Sequence, residues 1–76
     1  MTVIINWPQK VVCDLIDPLP YEYDDRSRMM SVHDVTRVYI GKSFTRLVYE
    51  STKHIDLDNR LYDSITVDEH YINIET

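Results

Sequence analysis

The sequence predicts an α+β fold: one small domain over residues 1–76, with an antiparallel sheet of four to five strands and one N-terminal helix packed on a face. Three observations predict it. β-Branched and aromatic residues gather in short runs, at Thr2 to Asn6, Val35 to Ile40, Phe44 to Glu50, Ser64 to Val67 and His70 to Ile74. Only the segment after Pro8 spaces its apolar residues at helical intervals. With 76 residues, 43% of them hydrophobic, and six Tyr, the chain can build one modest core and no second.

Thr2 to Asn6 is apolar and β-branched, as a buried strand requires, and Trp7-Pro8 breaks it. Val11, Val12, Leu15 and Ile16 then share one helical face, and a proline suits a first helical turn, so a helix is expected over 8–17. Pro18 and Pro20 stop it, and the chain from Pro18 to Asp25 is expected to run extended over the surface as a loop. Residues 26–34 read two ways, because Ser31-Val32-His33-Asp34 resembles a helix-starting capping box but leads into strand formers.

A continued helix would wrap Val35, Val38, Tyr39, Ile40, Phe44, Leu47 and Val48 around its axis. Two antiparallel strands about the only glycine fit better, with a type II′ turn at Gly41-Lys42. Thr52 to Asp63 is polar with Ile55, Leu57, Leu61 and Tyr62 as anchors, and reads as a loop or a short helix. Ser64 to Val67 and His70 to Ile74 flank Asp68-Glu69 as a closing hairpin, the alternative being a short helix capped by Thr66 and Glu69.

A chain of this size buries only about 60% of its unfolded surface, and its core contributes roughly 3–5 kcal/mol. Interaction functions are therefore expected ahead of an elaborate active site. The apolar runs, such as Val3 to Ile5 and Val38 to Ile40, fall far short of the roughly 20 residues of a membrane span, and the N-terminus lacks a basic leader and a cleavage site. A cytoplasmic protein is expected. Cys13, the single cysteine, sits beside Asp14 in an apolar stretch and reads as a small buried residue, not a reactive thiolate.

Charge is segregated along the chain. Residues 1–25 carry −4, residues 26–53 carry +4 and residues 54–76 carry −5. Such blocks either neutralise one another in the fold or leave surface fields. With a two-residue turn at Gly41-Lys42, Arg37 falls opposite Arg46, a repulsive pair that invites an anion between the guanidinium groups. A three-residue turn would place Arg37 opposite Leu47. Arg37, Lys42 and Arg46 are thus one candidate anion-binding set.

The acidic segments offer the opposite candidate. Tyr21-Glu22-Tyr23-Asp24-Asp25 alternates rings with carboxylates, and Asp56, Asp58, Asp63, Asp68 and Glu69 add negative charge. Gathered on one face, these groups would imitate single-stranded nucleic acid and occupy a basic surface of a larger protein.

Motifs for chemistry fail on inspection. Gly41-Lys42-Ser43 ends like a phosphate-binding loop, but Thr36 stands where the first glycine belongs. Asp56-Leu57-Asp58 begins like a calcium loop, but Leu61 replaces its glycine and Val67 its final glutamate. His33, His54 and His70 with Cys13 lack metal-ligand spacing, and one glycine cannot build a nucleophile elbow. No catalytic residue, metal or cofactor is expected.

The reading that results is a non-enzymatic protein-binding module that docks on a larger macromolecule and inhibits it by acidic mimicry, as a phage or mobile-element accessory protein would. One alternative is a homodimer assembled through an exposed strand, Thr2 to Asn6 or His70 to Ile74. Another is a nucleic-acid binder using the hairpin 35–50, with Arg26, Arg28, Arg37, Lys42, Arg46 and Lys53 as cations and Tyr39, Phe44 and Tyr49 for stacking. A pI near 4.9 weighs against that alternative, since a distant polyanion is repelled.

Overall fold

The computed structural model describes residues 1–67 and the short strand Asn73–Ile74. In chain order the elements are β1 (Val3–Asn6), α1 (Lys10–Leu15), β2 (Tyr21–Asp24), β3 (Met29–Val32), β4 (Arg37–Ile40) and β5 (Phe44–Tyr49). β6 (Lys53–Asp58), a 3-10 turn (Asn59–Leu61), β7 (Ser64–Val67) and β8 (Asn73–Ile74) follow. The strands divide into two sheets instead of the single sheet expected. The first, ordered β2-β3-β1-β7, is antiparallel throughout; the second is the antiparallel meander β6-β5-β4 with β8 added parallel to β4.

Alternation decides which face of each strand turns inward. In the first sheet Val3 and Ile5 of β1 and Met30 and Val32 of β3 are fully buried, while Ile4, Asn6, Met29 and Ser31 face the other way. In the second, Val38, Thr45, Leu47, Ile55 and Leu57 turn inward. The two apolar faces join in one cluster, which α1 completes with Val12 and the following Ile16. At one corner the sheets are tied by reciprocal bonds: the Met1 amino group donates to the Val35 carbonyl at 2.6 Å, and the Val35 N–H to the Met1 carbonyl at 3.2 Å.

Several expectations are corrected. The helix is shorter than 8–17, because Gln9 is extended and Pro18 follows its end closely. Tyr21–Asp24 is a paired strand within the expected loop, since β2 finds hydrogen-bond partners in β3. Ser31 lies in that partner strand, and Asp34 takes a left-handed φ of 64°, so the capping-box pattern starts no helix. Lys53–Asp58 forms a strand where a loop or short helix was expected, because Ile55 and Leu57 supply a period-two apolar face. Ser64–Val67 pairs with β1, whereas Asn73–Ile74 joins the other sheet, so these two segments do not form a hairpin, and Thr66 is a strand residue and not a cap. Asp68, Glu69 and His70 lie outside the described residues.

The central hairpin forms, with a different register. Ile40 pairs with Thr45 and Val38 with Leu47, and the Gly41 N–H donates to the Phe44 carbonyl at 3.0 Å, leaving Lys42-Ser43 at the tip. Gly41 does not adopt a positive φ, so the expected type II′ turn is absent. This register sets Val38 beside Leu47 in the core and places Arg37 opposite Val48, which removes the arginine repulsion.

A part-buried polar network locks this turn to the chain that follows β6. Thr45 is fully buried, and its hydroxyl lies 2.9 Å from Asn59 Oδ1 and 2.6 Å from the Tyr62 hydroxyl. The Tyr62 hydroxyl donates to Asn59 Oδ1 at 2.8 Å, and Asn59 Nδ2 donates to the Gly41 carbonyl at 2.8 Å. An Asn59→Ala substitution removes the hub and leaves the Gly41 carbonyl without this donor. It is expected to lower stability by about 1–3 kcal/mol in urea unfolding, and a loss under about 0.5 kcal/mol would show that water replaces the network. Burial pushes the Tyr62 phenol above its ordinary value, with the Thr45 bond opposing and the charge of Asp58 adding to the rise. The stability linked to Tyr62 is therefore complete below pH ~10 and is lost as pH rises through its higher folded value. Absorbance titration should find the Tyr62 phenol ionising above its ordinary value, and Asn59→Ala, which removes the acceptor of its O–H, should lower that midpoint.

Candidate functional site

The meander of the second sheet has a core side and an open side. On the open side, Arg37 of β4 lies beside Val48 of β5 and His54 of β6 in one row, and Tyr39, Arg46 and Asp56 form the next. Phe44 and Asp58 form a third row next to Gly41. The fixed alternation that sends Leu47 and Ile55 inward sends all of these outward. Of these, Arg37, Tyr39, Phe44, Arg46, Val48 and His54 line a groove of about 740 Å³, which the Lys42-Ser43 tip and Ser51-Thr52 also border.

Its chemistry is cationic and aromatic. Phe44 is 41% exposed, with the Arg46 guanidinium 5.6 Å from its ring centroid. Arg46 also grips Asp56 with two bonds, Nε to Oδ1 at 2.8 Å and Nη2 to Oδ2 at 3.1 Å. Arg37 Nη1 donates to the Tyr39 hydroxyl at 3.0 Å. His54 Nε2 stands 4.0 Å from Asp56 Oδ2. The Arg46 hydrogen bonds draw the Asp56 carboxyl below its ordinary value, with the Arg46 and His54 charges adding to the effect and partial burial opposing it.

The expected acidic face is not assembled. Tyr21, Glu22, Tyr23 and Asp24 lie on β2 at the edge of the first sheet, and Asp25 in the turn beyond it. Asp24 accepts the Arg26 N–H at 2.9 Å, and that bond lowers its pKa. Asp56 sits on the second sheet in the grip of Arg46. Asp58, at the end of β6, accepts from Arg60 Nη2 at 2.9 Å and from the Arg60 backbone at 2.9 Å, which draws its carboxyl down to about 2. Asp63 lies exposed in the loop before β7, and Asp68 and Glu69 are outside the described residues. Among the described residues the candidate carboxylates are thus spread over both sheets, and two of them are matched to guanidinium ions of the same chain.

The cationic candidates divide as well. Arg37, Lys42 and Arg46 all border the groove, but Arg37 and Arg46 are diagonal neighbours and do not form an opposed pair. Tyr39 and Phe44 share the open face, whereas Tyr49 packs against the core. Arg26 and Arg28 belong to the β2–β3 turn, where Arg28 stacks 5.0 Å over the Trp7 ring. Lys53 pairs with Glu50 at 2.9 Å. His54 and Val48 were missed as site residues; the signal for His54 lay in the alternation of Lys53–Asp58.

His33 follows β3 of the first sheet and His54 lies on β6 of the second, and among the described residues no group of three His, Cys, Asp or Glu side chains is placed to hold a metal ion. Among them, too, no helix is long and apolar enough to cross a membrane. Compared with known proteins, the chain matches no family model, no curated protein and no solved structure.

Because Asp56 and Asp58 are held in the charged form, the stability they contribute is present above pH ~4 and is lost as pH falls through their lower folded values. Carboxyl NMR titration should place the Asp58 midpoint near 2 and that of Asp56 below the ordinary range. Arg60→Ala should return Asp58, and Arg46→Ala should return Asp56, toward ordinary values. Wild-type midpoints near 4 would show that neither pair persists in solution.

Proposed function

We propose that the protein is a non-enzymatic binding module whose open β4-β5-β6 face takes single-stranded nucleic acid. The observation that carries this reading is the placement of Tyr39 and Phe44 on the same face as Arg37 and Arg46, in adjacent rows of one rigid sheet. Diagonal positions on a sheet lie roughly 7–8 Å apart, a spacing that lets two successive unstacked bases meet two rings. Arginine beside an aromatic ring suits the same ligand, since a guanidinium plane stacks on a base and also attracts phosphate. Lys42 at the hairpin tip makes no ion pair among the described residues and adds a point charge at the groove mouth.

The net charge of −5 bears on strength more than on site. A polyanion feels repulsion from the acidic remainder of the molecule at long range, but charges beyond a Debye length of roughly 8–10 Å are largely screened at physiological salt. Local cations and rings then decide the contact. Acidic mimicry has less support, because Asp56 and Asp58 are held by Arg46 and Arg60 and the Glu22–Asp25 carboxylates lie on the other sheet. Assembly through Thr2 to Asn6 also lacks support, since β1 is flanked on both sides by β3 and β7.

Fluorescence anisotropy of a short labelled oligothymidylate tests the proposal. Phe44→Ala should weaken binding by ~1–3 kcal/mol, the usual worth of one stacked base. Neutralising about two phosphates predicts a shallow salt slope of roughly −1.4 in log–log form. Phe44 is an exposed ring, so the variant should keep the wild-type circular dichroism. Absence of binding up to about 10⁻⁴ M at low salt, or a Phe44→Ala variant that binds as well as the wild type, would sink the reading.

A further inference from the structure

The first sheet ends on an open strand. Among the described residues β2 pairs only with β3, and all four of its residues are exposed. Its ladder fixes where the backbone groups point. The His33 N–H donates to the Pro20 carbonyl at 2.9 Å, so the rungs toward β3 fall at Pro20, Glu22 and Asp24, every second residue. The N–H and C=O groups of Tyr21 and Tyr23 therefore point away from β3, toward the open edge. That is a template for one more strand.

The side chains specify what kind of strand. Tyr21 and Tyr23 lie on the core side of the sheet, level with Val32 and Met30, and are 36% and 39% exposed. They extend the apolar layer past the edge. Glu22 and Asp24 lie on the opposite face, beside Ser31 and Met29. Glu22 Oε1 accepts from His33 Nε2 at 2.8 Å, and the other nitrogen of that ring lies 3.1 Å from the Thr2 hydroxyl. The nearby arginines belong to the turn past the end of the strand, where Arg28 is stacked on Trp7.

A second copy of this chain is a poor occupant. Two-fold pairing of β2 with itself sets Glu22 opposite its own copy in one register and Glu22 opposite Asp24 in the other. Both registers oppose like charges on directly facing positions. A strand carrying the reverse charge meets neither conflict.

We propose that the β2 edge takes an extended strand of a partner protein by antiparallel addition. That strand carries Lys or Arg at alternate positions facing Glu22 and Asp24, and aliphatic residues between them packing on Tyr21 and Tyr23. This surface is on the first sheet and is independent of the groove of the second.

The full-length protein, titrated with an acetylated Val-Lys-Val-Lys-Val-Lys amide and followed by amide NMR, tests it. The Tyr21 and Tyr23 amides should shift most, and the matching peptide with Glu in place of Lys should bind at least roughly tenfold more weakly. Tyr23→Pro removes an N–H that makes no rung to β3 and should weaken the Lys peptide roughly tenfold or more. Glu22→Gln with Asp24→Asn leaves the backbone edge intact and should remove the difference between the two peptides. Equal binding of the two peptides to the wild type would overturn the proposal, as would shifts confined to the Phe44 groove or a concentration-dependent dimer pairing through β2. The peptide comparison on the wild type reads the proposal even if Tyr23→Pro fails to fold, and it is independent of oligonucleotide binding.

Discussion

Two half-apolar sheets closing on one core is the constraint from which the rest of this structure follows. Each strand has one face to give, and a chain this short has few large side chains with which to fill the space between layers. Val3, Ile5, Met30 and Val32 from one sheet meet Val38, Leu47, Ile55 and Leu57 from the other, and Val12 and Ile16 of the helix complete the cluster. Once those side chains point inward, alternation leaves no choice about what points outward. Arg37, Tyr39, Phe44 and Arg46 share an open face because their neighbours in sequence were needed inside.

The same constraint explains how charges separated in sequence come together in space. The basic block 26–53 and the acidic block that follows it meet across β5 and β6, where Arg46 and Asp56 are directly opposed and doubly bonded. An antiparallel neighbour supplies this compensation automatically when the register is right. The pair is exposed enough that its contribution lies in positioning, because surface ion pairs add little to stability. The same bonds keep the Arg46 guanidinium beside the Phe44 ring, 5.6 Å from its centroid.

Much of the fold was legible where period and composition agreed. Thr2 to Asn6, the helix after Pro8, the two strands around Gly41 and Ser64 to Val67 all form. Lys53–Asp58 alternates plainly, but its polar residues outnumber the apolar anchors, so the local pattern fits a loop as well as a strand. Only pairing with β5 makes that alternation count. Tyr21–Asp24 is legible as extended chain but not as a strand, since prolines at 18 and 20 mark a loop and the hydrogen-bond partners lie in another segment. The hairpin register escaped because the glycine was assigned the turn, whereas matching Val38 with Leu47 and keeping Arg37 off Arg46 outweigh local turn preference. The separation into two sheets is a non-local property, and no local pattern encodes it.

The site was legible in its residue types and not in its assembly. Arg37, Lys42, Arg46, Tyr39 and Phe44 were all visible as candidates, and parity along two strands is enough to place four of them on one face. The acidic residues were visible too, but their parity and strand membership scatter them, and only the tertiary pairing reveals that Arg46 and Arg60 hold two of them. Linear charge blocks therefore mislead when neighbouring strands come from oppositely charged blocks: the sheet mixes what the sequence separates. The two sheets differ in what they turn outward. The second sets Arg37, Tyr39, Phe44 and Arg46 on one open face together with Asp56, and the first sets Glu22 and Asp24 on an edge strand that pairs only with β3 among the described residues.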